Sequence, residues 1–167
     1  MSLDIPEHLR EEQKQVEEEI CRAFRGVRRE GGVSWSESVV IDLYGSDERR
    51  REARAGDLEA GWEELVDDPG WNADKGVGGF TFLDPIGLRY YLAPALIRWS
   101  KGIGDGTGMR VLNEDTARDQ KRTELLNVPQ RAAVAKFLAY MIRWHESEGW
   151  ECKDLKEALW DFLNGPT

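Results

Sequence analysis

Residues 80–100 of the chain read FTFLDPIGLRYYLAPALIRWS, and this stretch decides the fold class. As a β-hairpin, two short strands would pair across residues 84–87, because Asp-Pro-Ile-Gly resembles a type I turn with proline in second position. As a helix, Asp84 would be a favoured N-cap, and Pro85 would occupy the first helical position, where no hydrogen bond is lost. The residues at 84–87 fit both the hairpin and the helix, so the spacing of apolar residues has to decide between them.

That spacing favours the helix. Apolar and aromatic residues recur at i, i+3, i+4, i+7, i+8 and i+11, which is one face of an α-helix. They are Leu88, Tyr91, Leu92, Ala95, Leu96 and Trp99. An interior proline removes one backbone hydrogen bond and costs about 3 kcal/mol. We therefore predict a helix from Asp84 that kinks or breaks at Pro94 and continues to Lys101, with at most a short β element near residues 80–83.

The rest of the chain also predicts helices. Ser34-Trp35-Ser36-Glu37 fits a capping box, and a second N-cap stands at Ser46. Three further helices are predicted: Pro6–Arg29 ended by Gly31-Gly32, one from Asn127 to about Glu146, and a last one capped by Asp154. The sequence thus predicts a mostly α, single compact multi-helix domain over residues 1–167, with residues 1–5 flexible.

Composition limits the classes of partner. A net charge of −9 argues against nucleic acid and anionic membranes, since proteins that bind them carry a basic patch. The one arginine cluster, residues 49–54, alternates with acidic residues and predicts a salt-bridged helix face. No apolar run approaches a membrane span, the N-terminal residues lack a signal peptide, and the two cysteines predict free thiols, so a cytoplasmic location is expected.

The sequence contains no recognisable catalytic set. The glycine-rich stretch 102–108 lacks the Lys-Ser/Thr of a P-loop and the third glycine of a dinucleotide fingerprint, which predicts a flexible loop. The scattered His8, Cys21, His145 and Cys152 do not have the spacing of a zinc site. No Gly-x-Ser-x-Gly elbow occurs. We therefore expect no catalytic residues, no metal and no cofactor.

The remaining candidates are weaker. Kinks and helix starts form small clefts where polar side chains converge, so Asp84, Arg89 and Tyr90 are candidate binding residues. Trp71 and Trp150 lie in turn-like stretches and are predicted to be the most exposed of the seven tryptophans. An alternative metal or acid/base site is formed by carboxylates spaced i, i+4 and i+8 along a predicted helix face. These are Glu59, Glu63 and Asp67.

Several stretches resemble a bacterial family of proteins, the domain-of-unknown-function family 6714. The matching stretches are AFRGV, SWSESVVIDLYG, GWEELVDD, FTFLDPIGLRYYLAPALI and LLNVPQRAAVAKFLAYM, which together span roughly residues 15–145. The resemblance implies a small, cytoplasmic, largely α-helical domain. It implies no catalytic residues, because the family has no assigned activity.

Two functional hypotheses follow. The first is a non-enzymatic interaction or regulatory domain, in one form an immunity-like protein, that binds another protein through its acidic surface and surplus tryptophans. The second is a small hydrolase or metal-dependent enzyme that uses the helix carboxylates. The interaction hypothesis is preferred because the sequence shows no assembled catalytic set. Neither hypothesis predicts the oligomeric state.

Overall fold

The computed structural model describes residues 4–57, 59, 61–113 and 122–165, and within them the chain forms six α-helices. They are α1 (Arg10–Ala23), α2 (Trp35–Asp42), α3 (Asp47–Gly56), α4 (Pro85–Ser100), α5 (Val128–Ser147) and α6 (Lys153–Asn164). Short 3₁₀ helices occur at Glu7–Leu9, Trp62–Leu65, Gly79–Phe82 and Thr107–Leu112. The prediction of a mostly α domain is confirmed.

Helix α4 confirms the helical interpretation of the stretch that decides the fold. The side chain of Asp84 accepts a hydrogen bond from the backbone N–H of Gly87 at 2.8 Å, as an N-cap does. Twelve of the sixteen residues of α4 are buried, so it is a core helix enclosed on most of its faces. The predicted break does not occur, since the helix continues through Pro94. Residues 79–82 form a 3₁₀ helix, so the short β element suggested there is not formed.

Helices α1 and α5 pack against α4, and one polar contact set joins all three. The hydroxyl of Tyr140 on α5 donates to the carbonyl of Ser100 at 2.9 Å. The amide of Gln13 on α1 donates to the Ser100 hydroxyl at 3.2 Å. All three residues are buried, so these bonds fix the relative register of the three helices inside an otherwise apolar core.

Two helix boundaries differ from those predicted. Helix α1 ends at Ala23 rather than Arg29, because Gly26 adopts φ +75° and turns the chain. Arg29 therefore lies outside the helix and is buried, with its guanidinium donating to the carbonyl of Gly32 at 3.3 Å. Helix α6 begins at Lys153 with Cys152 at the N-cap, so Asp154 is not its cap.

The predicted starts of the other helices are confirmed. Ser34 and Glu37 form both hydrogen bonds of a capping box at α2, and Asn127 and Gln130 do the same at α5. Ser46 caps α3. At the N-terminus, Ile5 packs against the core, whereas the expectation for residues 1–3 lies outside the described residues. None of the described helices is long and apolar enough to cross a membrane.

Candidate functional site

The start of α2 collects side chains from three parts of the chain. Five consecutive backbone N–H groups, from Val33 to Glu37, each donate to a side-chain oxygen. The acceptors, in order along the chain, are Asp84, Glu37, the Tyr91 hydroxyl, Asp57 and Ser34. These N–H groups are the donors that a helix start would otherwise offer to an anion. The candidate residue Asp84 is thus used to hold α2 against α4.

Glu37 lies at the centre of this arrangement, with a side chain that is 1% exposed. Arg50 and Arg54 of α3 each donate two hydrogen bonds to its carboxylate, and the Ser34 N–H donates a fifth. Burial alone would raise the pKa of Glu37, but hydrogen bonds from Arg54, Ser34 and Arg50 outweigh it and lower that pKa. The predicted salt-bridged face of α3 is confirmed, and its main acceptor is this buried carboxylate.

The candidate residues Arg89 and Tyr90 lie in the first two turns of α4. Tyr90 is fully buried, its ring packs edge-on against Tyr91 at 4.9 Å, and burial raises its pKa to about 12. Arg89 is half-buried on the same helix, and its Nε is buried without a hydrogen-bond partner among the described residues. Asp84 caps α4 and the Tyr90 ring is enclosed in the core, and the assignment of Asp84, Arg89 and Tyr90 as binding residues stays a prediction.

Trp71 corrects a second expectation. Although it lies in a loop, it is buried, with its ring 5.2 Å from Trp35 and 6.1 Å from Tyr91. The guanidinium of Arg98 lies over its outer side, 5.8 Å from the ring centroid. The indole is thus part of the aromatic core, so the prediction that Trp71 is exposed is wrong.

The candidate carboxylates also occupy a different local structure from the one predicted. Glu63 lies in the 3₁₀ helix Trp62–Leu65, Glu59 precedes it, and Asp67 follows it, so no α-helix face presents all three. Glu59 accepts a hydrogen bond from the backbone N–H of Gly31 at 3.3 Å. Within the part of the chain that the structure describes, no group of three or more His, Cys, Asp or Glu side chains could hold a metal ion.

The glycine-rich loop 102–108 has no regular helix at residues 102–106, and its last two residues begin the 3₁₀ helix Thr107–Leu112. An internal carboxylate holds it in place. Asp74 accepts hydrogen bonds from the backbone N–H groups of Asp105 at 3.0 Å and Gly108 at 2.8 Å. It also accepts one from the indole N–H of Trp99 at 2.9 Å. A Cβ on Gly104 would lie 2.0 Å from this carboxylate, which explains the need for glycine there. The loop amides therefore bind Asp74, and the loop becomes a fixed wall beside Trp99.

The end of α5 provides the opposite wall. Gly149 has φ +73° and reverses the chain, and the Trp150 N–H then donates to the His145 carbonyl at 2.8 Å. This places the Trp150 ring edge-on to the His145 ring at 5.2 Å. Burial lowers the pKa of His145, so its ring is neutral at pH 7.

Between these two walls lies a cavity of about 280 Å³, here named the tryptophan pocket. Three indoles and two thioethers line it, together with His145 and the glycine-rich loop. They belong to Trp99, Trp144, Trp150, Met109 and Met141. Trp99 and Trp144 are buried, whereas Trp150 is 45% exposed and forms the rim. Trp160, at 65%, is more exposed than Trp150, so the prediction that Trp71 and Trp150 are the two most exposed tryptophans holds only for Trp150.

Two further hollows adjoin the tryptophan pocket. The side cavity, of about 710 Å³, is lined by Arg110, Asn113, Lys153 and Asp154 among others, and it shares Met109 and His145 with the pocket. The outer groove, of about 530 Å³, shares Trp150 with the pocket and runs along α6 to Trp160. Its salt bridge between Lys156 Nζ and Glu146 Oε1 spans 2.7 Å and joins α5 to α6.

Cys152 lies where the side cavity and the outer groove meet. It stands at the N-cap of α6, is buried, and its Sγ donates to Glu146 Oε1 at 3.8 Å. His145 lines the same side cavity. No hydrogen bond joins His145 to Cys152 among the described residues, and the thiol contacts Glu146 instead.

The outer groove combines two exposed indoles, Trp150 and Trp160, with charged side chains. Trp160 is 65% exposed, and Leu163, almost one turn later on α6, is 66% exposed. Residues 146–161 carry six carboxylates and two lysines. Sequence reasoning identified only Trp150 here. It missed the pocket because Trp99, Trp144 and the glycine-rich loop come together only in the folded chain.

The comparison with known families fits this architecture. A family model described as "Family of unknown function (DUF6714)" matches residues 12–163. The chain belongs to this family. The match extends the DUF6714 resemblance beyond residue 145, so that α6 and the hollows beside it fall within the family's region. No curated protein and no solved structure gives a significant match.

Proposed function

We propose that this DUF6714 protein is a non-enzymatic interaction domain that binds a basic segment of a partner protein. The docking face is defined as the rim of the tryptophan pocket at Trp150, the outer groove, Trp160 and Leu163. The observation that carries the proposal is the pair of exposed indoles, Trp150 and Trp160, which line one groove. Tryptophan is enriched among the residues that dominate binding energy at protein interfaces.

The charge of the docking face selects the chemistry of the partner. The two lysines of residues 146–161 are both paired, Lys156 with Glu146 at 2.7 Å and Lys153 with Glu157 at 3.8 Å. The other four carboxylates of this stretch give its surface a negative field, in a chain whose net charge is −9. A positively charged segment would be attracted to this face and oriented on it.

A domain of this kind would regulate its partner by covering a basic surface, as an immunity-like protein does. We place it in the cytoplasm, where its unpaired cysteines, Cys21 and Cys152, would remain reduced. Neither thiol is needed for docking, because Cys21 lies on α1 and Cys152 is buried beneath the outer groove.

The test is selection of linear peptides from a phage-displayed library on the full chain, followed by affinity measurement on the selected peptides. We expect net positive peptides whose affinity falls at least about 10-fold on Trp150→Ala and on Trp160→Ala, as for interface hot spots. Tyr44→Ala is the matched control, because Tyr44 is a 97% exposed aromatic residue at the end of α2. Enrichment of acidic peptides, or equal binding by all three variants, would overturn the proposal.

A further inference from the structure

The tryptophan pocket has the chemistry of a cation site. Three indoles line it, and an indole attracts a cation through its electron-rich face, whereas the ring edge carries partial positive charge. Enclosure by aromatic faces is how proteins recognise ammonium groups. The polarisable sulfurs of Met109 and Met141 complete the enclosure without adding a positive charge. We propose that the tryptophan pocket accepts the ammonium or methylated ammonium end of a lysine-type side chain. This inference rests on the docking function proposed above, because it names the side chain that anchors the partner segment.

No positive charge opposes a cation at the described residues that line the pocket, since none of them is lysine or arginine. His145 is uncharged at neutral pH because burial lowers its pKa. Lys101 lies directly before the glycine-rich loop but extends to Glu17, with its Nζ 2.7 Å from the carboxylate. Arg110 and Lys153 line the side cavity instead.

One negative charge stands at the pocket. Asp105, in the glycine-rich loop, is among the lining residues and is exposed. Its Oδ1 accepts a hydrogen bond from the Thr107 N–H at 2.9 Å, and hydrogen bonding from Thr107 lowers the pKa of this carboxyl. The loop itself is held by Asp74, so the Asp105 carboxylate stays at the rim, where an incoming ammonium group would pass.

The size of the pocket agrees with a side-chain anchor. At about 280 Å³ it is slightly smaller than the roughly 300–1,000 Å³ of small-molecule sites. An alkylammonium chain would place its methylene groups against the thioethers and its charged end among the indoles. A purely apolar anchor, such as leucine, would leave Asp105 unused and would gain nothing from the indole quadrupoles.

The experiment titrates the intact protein with choline and with its uncharged isostere 3,3-dimethylbutan-1-ol, followed by tryptophan fluorescence and by NMR of the indole N–H signals. We expect choline to bind at least about 5-fold more tightly, as one cation–π contact predicts. Trp150→Ala should abolish this preference, and Asp105→Asn should weaken choline binding. Tyr44→Ala is the matched control, because Tyr44 is an exposed aromatic residue that lines neither the tryptophan pocket nor the outer groove.

The outcomes separate this inference from the docking proposal. If the isostere binds as tightly as choline, or if neither binds while the selected peptides do, the pocket is not a cation site and the docking face stands. If choline binds with the expected preference but no basic peptide is selected, the cation site stands and the docking function fails. The result for Trp150→Ala is interpreted only if the circular dichroism spectrum and melting temperature of this variant match those of the wild type. Trp150→Phe is a second variant, and it should retain part of the preference for choline.

Discussion

Arg54 on α3 donates its Nε–H to Glu37 on α2 at 2.8 Å, joining a guanidinium that is 38% exposed to a carboxylate that is 1% exposed. Arg50 approaches the same carboxylate from the preceding turn of α3. The contact fixes the packing of α3 against α2. Its acceptor, Glu37, also forms the capping box of α2 together with Ser34. One buried charge therefore serves both the helix start and the packing of the neighbouring helix.

Glu37→Gln is expected to lower the free energy of unfolding by about 2 kcal/mol. Glutamine can still accept from the Ser34 N–H, but it leaves both guanidiniums without a carboxylate. Because Arg50 and Arg54 remain in contact with water, the loss should stay below the roughly 3–5 kcal/mol of breaking a fully buried pair. Urea unfolding followed by tryptophan fluorescence measures the difference. Glu52→Gln removes an exposed carboxylate on α3, the helix that carries Arg50 and Arg54; it is the control and should change stability by less than about 0.5 kcal/mol.

The same carboxylate predicts a pH dependence. Its pKa in the folded protein is lowered below that of the unfolded chain, so it adds stability that is fully present above the ordinary glutamate pKa of about 4.3. This contribution is lost as the pH falls through the lower pKa of the folded state. The stability difference between wild type and Glu37→Gln should therefore be constant at neutral pH and shrink below about pH 4. A difference that grew on acidification would contradict the assignment.

Local signals in the sequence predicted much of this fold. The N-cap Asp84 with Pro85 behind it, and the capping residues Ser34 and Asn127, act over three or four residues, so their effect can be inferred without knowledge of tertiary structure. The apolar spacing of α4 identified a buried helix, although it underestimated how completely that helix is enclosed. Pro94 was expected to kink or break it; the helix is not broken there, and most of its residues are buried by packing.

The errors lie where distant parts of the chain meet. The residues next to Trp71 in the sequence are typical of an exposed loop, but in the folded chain its ring packs against Trp35 and Tyr91. The pairing of Glu37 with Arg54 joins two helices across 17 positions and leaves no periodic signal. For the tryptophan pocket, the one usable signal was the surplus of tryptophan, which was compatible with either a well-filled core or a partly aromatic binding surface and did not show which indoles meet.

Gly87 provides a test of how closely α4 approaches the segment before α2. In an ordinary helix interior, Gly→Ala stabilises by up to about 1 kcal/mol. At Gly87, however, the new Cβ would lie 2.4 Å from the carbonyl oxygen of Val33, a contact that the backbone must move to relieve. We expect Gly87→Ala to destabilise the protein by about 2 kcal/mol, within the range for overpacked sites.

The matched control for Gly87 is Gly56→Ala. Gly56 is the last residue of α3, and a Cβ there would meet no atom within 4 Å. This variant should be neutral or slightly stabilising, by less than about 1 kcal/mol. Thermal and urea unfolding of the two variants measures the contrast. Equal effects of the two substitutions would show that α4 does not approach Val33 as closely as described.

Asp74→Ala tests whether the glycine-rich loop is held by one carboxylate. The substitution leaves the buried indole N–H of Trp99 and the loop amides of Asp105 and Gly108 without their acceptor. The loop amides can turn to water, whereas the indole cannot, so we expect a loss of about 2 kcal/mol in stability. Hydrogen exchange followed by mass spectrometry should show faster exchange in the peptide that covers residues 102–108.

The prediction for Asp74→Ala is checked by a control variant and by where in the chain hydrogen exchange becomes faster. Asp67→Ala removes an exposed carboxylate near the 3₁₀ helix Trp62–Leu65 and should leave exchange in the loop unchanged. Exchange in the middle of α5 should also stay slow in Asp74→Ala, because opening of the loop is local and leaves the helical core intact. If exchange rises equally in the loop and in α5, Asp74 supports the whole domain. If it rises in neither, the loop is held by its own packing, and Asp74 does not position the wall of the tryptophan pocket.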